Sequence, residues 1–138
     1  DTEYEASPPL GGTDLDGRVV ELCGVRFAGL EGSLRYRDGI VGYSEAEMRA
    51  RALRLELLAW ARGGVDVFVT HAPVRGYGDL PDLPHRGFGA FDGLLTRQRP
   101  RMMLHGHVHM DYGRIERERT HAGGTRIVNA FGWYELEL

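Results

Sequence analysis

Apolar and polar positions change period several times along the chain. Arg18–Leu22 and Val25–Ala28 are short β-like runs separated by Cys23-Gly24, a pattern that predicts a hairpin. Gly29, Gly32 and Gly39 then punctuate a loop. Between 44 and 62 the spacing becomes helical: Met48, Ala52, Leu55 and Ala59 recur on one face, with Leu58 beside them. Ser44 followed by Glu47 is a capping-box signature at its start, and Gly63-Gly64 supplies the stop. VDVFVT, Val65–Thr70, is rich in β-branched residues and predicts a buried strand. Residues 71–87 read as a long loop with three prolines. Phe88–Gln98 predicts a second helix ending near Pro100, and Arg101–Leu104 a short strand. Gly113–Arg119 and Thr125–Ala130 are expected to pair across His121–Gly124, and Tyr134–Leu138 alternates like a last strand. Residues 1–17, with Pro8-Pro9 and Gly11-Gly12, are expected to be irregular.

Helix–strand alternation predicts an α/β fold, and the antiparallel tail predicts a mixed sheet. The length, 138 residues, fits one domain over 1–138. Hydrophobic residues at 42% and charged residues at 27% exclude a disordered chain. A net charge of -3 argues against general nucleic-acid binding, though not against a nucleotide substrate. No apolar run approaches the ~18 residues of a membrane span. The opening DTEYEASPP lacks the marks of a signal peptide, so a soluble, cytoplasmic protein is expected. Cys23 stands alone, which excludes a disulfide framework.

The histidines change the picture. His71 follows the strand VDVFVT directly, and His105, His107 and His109 follow RMML, with His85 in the loop between. Ligands of α/β sheets bind outside the carboxyl ends of strands. If the two strands are neighbours, His71 and His107 converge there. Neutral imidazole suits Zn, Fe, Mn, Ni and Cu alike, so residue type points to a divalent metal without choosing it. A single such histidine reads more simply as a turn or core residue; three within five positions plus a strand-end partner favour metal. His105 ends the apolar run and is expected to support or pack rather than ligate.

VFVTHAPVRGYGD, then MLHGHVHMDYG, then TRIVNAF together resemble the C-terminal half of a calcineurin-like metallophosphoesterase, in the small bacterial form. The motifs span 65–138, and the hairpin with GLEGSLRY extends the likeness over most of the chain. The resemblance implies a four-layer α/β/β/α sandwich with two mixed sheets. It implies His71 and His107 as ligands of one cation and His109 as a ligand of another, the pair being Mn, Fe, Zn or Ni. The implied activity is hydrolysis of a phosphomonoester or phosphodiester, a small molecule or nucleotide, by a bridging hydroxide.

The family's first half carries an Asp-x-His pair, a Gly-Asp pair whose Asp bridges the metals, and a Gly-Asn-His-Asp or -Glu turn. These motifs are not found ahead of VDVFVT. Asp1 reads either as the last residue of that turn, supporting the site, or as a solvated terminus. The chain is therefore expected to be the C-terminal portion of a metallophosphoesterase domain, weak or inactive alone, with the missing N-terminal half supplied in cis or in trans. Without that half a hydrophobic sheet face would be exposed and would invite self-association. The alternative is a non-catalytic, His-rich metal-binding or regulatory module. A mononuclear zinc hydrolase fits poorly, since Asp111 is the only acidic residue close by in sequence.

Other residues carry weaker readings. Arg75 and His85, with Arg86, are candidates to grip a phosphate from the long loop, against plain solvation. Asp79 and Tyr112 are candidates to line the cleft. Asn129 reads as a structural turn residue. Trp60, Phe88, Phe91 and Trp133 are expected in the core, and Arg114–Arg119 as a solvated hairpin face.

Overall fold

The computed structural model describes residues 11–36, 42–113 and 115–137, so Asp1, Arg114 and Leu138 lie outside the described residues. Strands β1 (Val19–Leu22) and β2 (Val25–Leu30) form the expected hairpin, pairing antiparallel from Val19↔Ala28 to Leu22↔Val25. Cys23 and Gly24 both take positive φ, 50° and 79°, the conformation that a two-residue hairpin turn needs. β3 (Ser33–Leu34) and β4 (Gly42–Tyr43) make a short parallel pair within the glycine-punctuated stretch.

Helix α1 (Glu45–Ala61) begins at the capping box. Glu47 N–H donates to Ser44 Oγ at 3.2 Å, and Ser44 N–H donates to Glu47 Oε2 at 2.7 Å. Its inner face buries Met48, Ala52, Leu55 and Ala59. Leu58 is not part of that face; it is exposed, as are Leu53, Leu57 and Trp60. β5 (Val67–Thr70), α2 (Ala90–Gln98), β6 (Met102–His105), β7 (Glu118–Thr120) and β8 (Arg126–Asn129) complete the elements, with 3₁₀ turns at Leu83–His85 and Met110–Tyr112.

Six strands form one mixed sheet in the order β1-β2-β5-β6-β8-β7. The four central strands are parallel to one another, with antiparallel β1 and β7 at the edges. The chain steps the same way from β2 through α1 to β5, and from β5 through α2 to β6. Crossovers of one hand therefore place both helices on one face. Ala28, Phe68, Met103 and Ile127 lie in register across this sheet and share a buried core with Met48, Leu55, Phe91 and Leu95. On the opposite face Val67, Met102 and Val128 are buried apart from that core, while Phe27, Val69 and Leu104 are half-buried rather than fully exposed.

Two further expectations fail. Residues 134–137 form no strand; Tyr134 instead donates its hydroxyl to Glu118 on β7 and lies beside the Arg117 guanidinium, so side-chain bonds replace a ladder. Trp60 and Trp133 are not core residues: they are 57% and 83% exposed. Trp60 falls on the outer face of α1, and Trp133 follows the last strand where nothing stacks against it among the described residues. Phe88 and Phe91 are fully buried as expected, in edge contact with each other and, for Phe91, with Phe68. No described helix is long and apolar enough to cross a membrane.

Candidate metal centre

Because the central strands are parallel, their carboxyl ends share one sheet edge. Leu30, Thr70, His105 and Asn129 stand in register there as the last residues of β2, β5, β6 and β8. The residues that follow, Glu31, His71, Gly106-His107 and Ala130-Phe131, all emerge at this edge. Side chains alternate across a sheet, so His105 points to the same side as Met103, toward the helices. It is 2% exposed, and its Nδ1 lies 3.0 Å from Gly106 O. His105 is thus a packed neighbour of the site, as expected of the residue that ends the apolar run.

His71 and His107 do converge. His71 Nε2 and His107 Nδ1 are 2.9 Å apart, with ring centroids at 4.7 Å. The backbone holds them there under strain. Val108 N–H donates to Gly106 O at 2.8 Å, closing a three-residue turn with His107 at its centre in the left-handed region, φ 66°. A side chain rarely takes that conformation, at an expense of order 1–3 kcal/mol. Three bonds impose it. Gly106 N–H donates to His71 O at 3.0 Å, His107 Nε2 donates to Pro84 O at 2.6 Å, and Asn129 Nδ2 donates to Val108 O at 2.7 Å. Buried Asn129, whose Oδ1 also accepts from Phe131 N–H, therefore clamps the histidine turn from the next strand, the structural part expected of it.

The bond to Pro84 has a chemical consequence. A carbonyl only accepts, so His107 Nε2 carries the proton and Nδ1 keeps a lone pair aimed at His71. Histidines that bind metals characteristically donate their outer nitrogen to a carbonyl or carboxylate in this way. Two imidazole nitrogens this close are bridged either by the proton of His71 Nε2–H, as an ordinary hydrogen bond, or by a cation. Neutral imidazole nitrogens are donors that a divalent transition metal accepts, and this pair supplies two of them. Among the described residues no third His, Cys, Asp or Glu completes a cation site with the pair. His109 is not brought to it as a ligand; its ring is stacked between Tyr112, at 4.9 Å, and Phe131, at 4.2 Å.

The long loop wraps over the pair. Its two arms meet where Phe88 N–H donates to Pro73 O and Arg75 N–H to Phe88 O. Asp79 accepts from Gly76 N–H at 2.8 Å and Gly87 N–H at 3.0 Å, which makes it a brace for the loop. His85 lies over the site, its ring 5.4 Å from His107 and 5.0 Å from Tyr112, with Nδ1 2.6 Å from Asp82 Oδ2. Arg75 is directed elsewhere: it bonds Glu45 Oε2 at 3.0 Å and Gly87 O at 3.2 Å. Arg86 donates to Pro81 O. Sequence reasoning missed the anchor of His107, Pro84 O, and the ring that stacks on His109, Phe131, because a backbone acceptor and a stacking partner leave no signature in residue order.

Desolvation lowers the pKa of His71, His105 and His107; His107 adds to the effect at His71, while the Pro84 carbonyl opposes it at His107. All three favour the neutral form, which is the one that coordinates metal. For histidine this depression means stability present above the unfolded value of about 6.5 and lost as pH falls through the lower folded values. The urea midpoint of the metal-free chain is therefore expected to drop between about pH 7.5 and 5.5, and His105→Gln is expected to flatten that slope. An unchanged slope in the variant would show that His105 is protonated as easily folded as unfolded.

No family model matches the chain, and no curated protein is detectably similar to it in sequence.

Proposed function

We propose that this chain is the histidine-bearing part of a metal-dependent phosphoesterase that hydrolyses a phosphomonoester or phosphodiester. The observation that supports it most is the strained His71–His107 pair at the carboxyl ends of two adjacent parallel strands, with Nδ1 of His107 facing His71 Nε2 while its Nε2 is bonded to Pro84 O. The motifs THAP, GHVH and IVNAF lie on that edge in the order of the calcineurin-like family. In this reading His71 and His107 hold one divalent cation, of Mn, Fe, Zn or Ni, and His109 turns toward a second. Carboxylate ligands come from an N-terminal half in cis or in trans. That half adds the second sheet of a four-layer sandwich over the face carrying Val69 and Leu104. When bound, the cations supply an activated water and neutralise charge on the phosphoryl oxygens. His85, over the pair, is placed to meet a substrate oxygen; Arg75, tied to Glu45, is released only if that ion pair opens.

Metal content and hydrolysis of bis-p-nitrophenyl phosphate test this, on the chain as given and after Mn loading. His71→Ala and His107→Ala are each expected to weaken metal binding by more than about 100-fold, since loss of an outer-shell partner alone reaches that range. Two metals per chain, with turnover lost in both variants, would establish a complete site. One metal without turnover, regained on adding a segment that carries the missing carboxylates, also supports the reading. One metal without turnover under every condition favours the non-catalytic metal-binding or regulatory module. No metal bound by the wild-type chain, alone or together with that segment, would overturn the phosphoesterase and leave the regulatory module.

A further inference from the structure

A second polar feature lies away from the histidines. Arg51 and Arg54 are three residues apart on α1 and so share a flank of the helix. Arg18 approaches them from the segment just before β1. The three guanidiniums surround a pocket of about 370 Å³ floored by Leu30 and Leu55, with Asp16 as the one carboxylate in its wall. That carboxylate is already committed: both its oxygens contact Arg51 Nη2, at 2.5 and 2.7 Å, and Oδ1 also accepts from Glu31 N–H. Among the described residues Arg18 reaches only Asp14, at 3.4 Å, in a pair open to solvent, the kind that contributes little. Arg54 has no ion-pair or hydrogen-bond partner among the described residues. Arg51 Nε is buried and has no acceptor among the described residues. A buried donor left unsatisfied is destabilising and calls for an explanation. The Arg51 guanidinium is also held in place, 4.3 Å over the Tyr43 ring, so its fork is set before any ligand arrives.

We infer that this pocket binds the phosphate group of a small organic phosphate. A phosphate carries enough acceptor oxygens and charge to engage three guanidiniums in the paired hydrogen bonds they favour, where a carboxylate has two oxygens. The volume falls in the range of small-molecule pockets and leaves room for an organic portion beside the phosphate. None of the lining residues belongs to the histidine cluster. Asp16 and Leu30 also line a separate groove of about 290 Å³ whose wall includes His71.

The test is isothermal titration of the full, EDTA-treated chain with phenyl phosphate and with benzoate. Phenyl phosphate is expected to bind saturably at one site, at least tenfold more tightly than benzoate. Arg54→Ala, at an exposed position, is expected to weaken it at least tenfold, and exposed Arg18→Ala is the second variant if the first does not fold. The double variant His71→Ala, His107→Ala is expected to bind as the wild type does, which separates this pocket from the proposed metal centre. Absence of saturable binding, equal affinity for benzoate, indifference to both arginine variants, or loss in the histidine variant would each overturn it.

Discussion

Replacing Gly87 by alanine is expected to destabilise the fold by about 3 kcal/mol or more, at or beyond the upper end of overpacking substitutions. Gly87 has no left-handed backbone to excuse it; what it lacks is space. A Cβ there would stand 2.6 Å from Pro73 O, 2.6 Å from Val74 C and 2.7 Å from Arg75 N, all backbone atoms. No rotamer change relieves such contacts, so the two arms of the loop must part. Those arms are joined by the Phe88 N–H bond to Pro73 O and the Arg75 N–H bond to Phe88 O, and fully buried Phe88 follows directly. The same loop carries Pro84, whose carbonyl orients His107, so metal affinity is expected to fall along with stability. Gly106→Ala is the contrast. Its Cβ would meet only His71 O at 3.9 Å, an ordinary contact, and a change within about 1 kcal/mol is expected. Urea unfolding of the two variants decides the matter. Equal stabilities would mean that the loop does not close as tightly as 73–75 and 87–88 indicate.

That contrast marks how much of this molecule is legible in its sequence. Both glycines border the histidine site, yet residue order does not tell which is sterically required. Features set by neighbours along the chain are readable. Cys23-Gly24 turns the hairpin, Ser44 and Glu47 start α1, and VDVFVT supplies a central strand. The convergence of His71 and His107 was legible for the same reason, since each directly follows a strand and parallel neighbours align those ends. Features set by distant partners are not. Arg75 looks free in sequence, but Glu45, thirty residues earlier, takes its guanidinium and also accepts from the N–H groups of Gly89 and Ala90 at the start of α2. Trp60 looks like a core residue, but the inner face of α1 is already filled by Met48, Ala52, Leu55 and Ala59. The arginine pocket was invisible because its parts come from positions 16–18 and from a helix that begins nearly thirty residues later.

Removing the Arg97 side chain is expected to be as damaging as filling Gly87. Glu56 on the inner face of α1 is only 2% exposed, so its carboxylate has left water almost entirely. Arg97 on α2 compensates with two parallel bonds, Nε to Oε2 at 2.8 Å and Nη2 to Oε1 at 2.6 Å. Gly93, one turn earlier, leaves room for the guanidinium to lie across the helix; a Cβ there would meet its nitrogens at 3.0 Å. Arg97→Ala therefore strands a buried charge between the two helices that cover the sheet. Breaking a buried pair on one side removes about 3–5 kcal/mol. The lower end is expected here, because Arg97 is itself 46% exposed and water can enter where it stood. Arg97→Lys is expected to recover only part of the loss, since an ammonium cannot reproduce the double bond. The double variant Glu56→Leu, Arg97→Met should come close to wild-type stability, because the pair's net contribution over an apolar contact is small. Urea midpoints across these variants separate the two explanations. If Arg97→Ala and the double variant unfold together, the damage lies in lost packing between α1 and α2 and not in a stranded carboxylate.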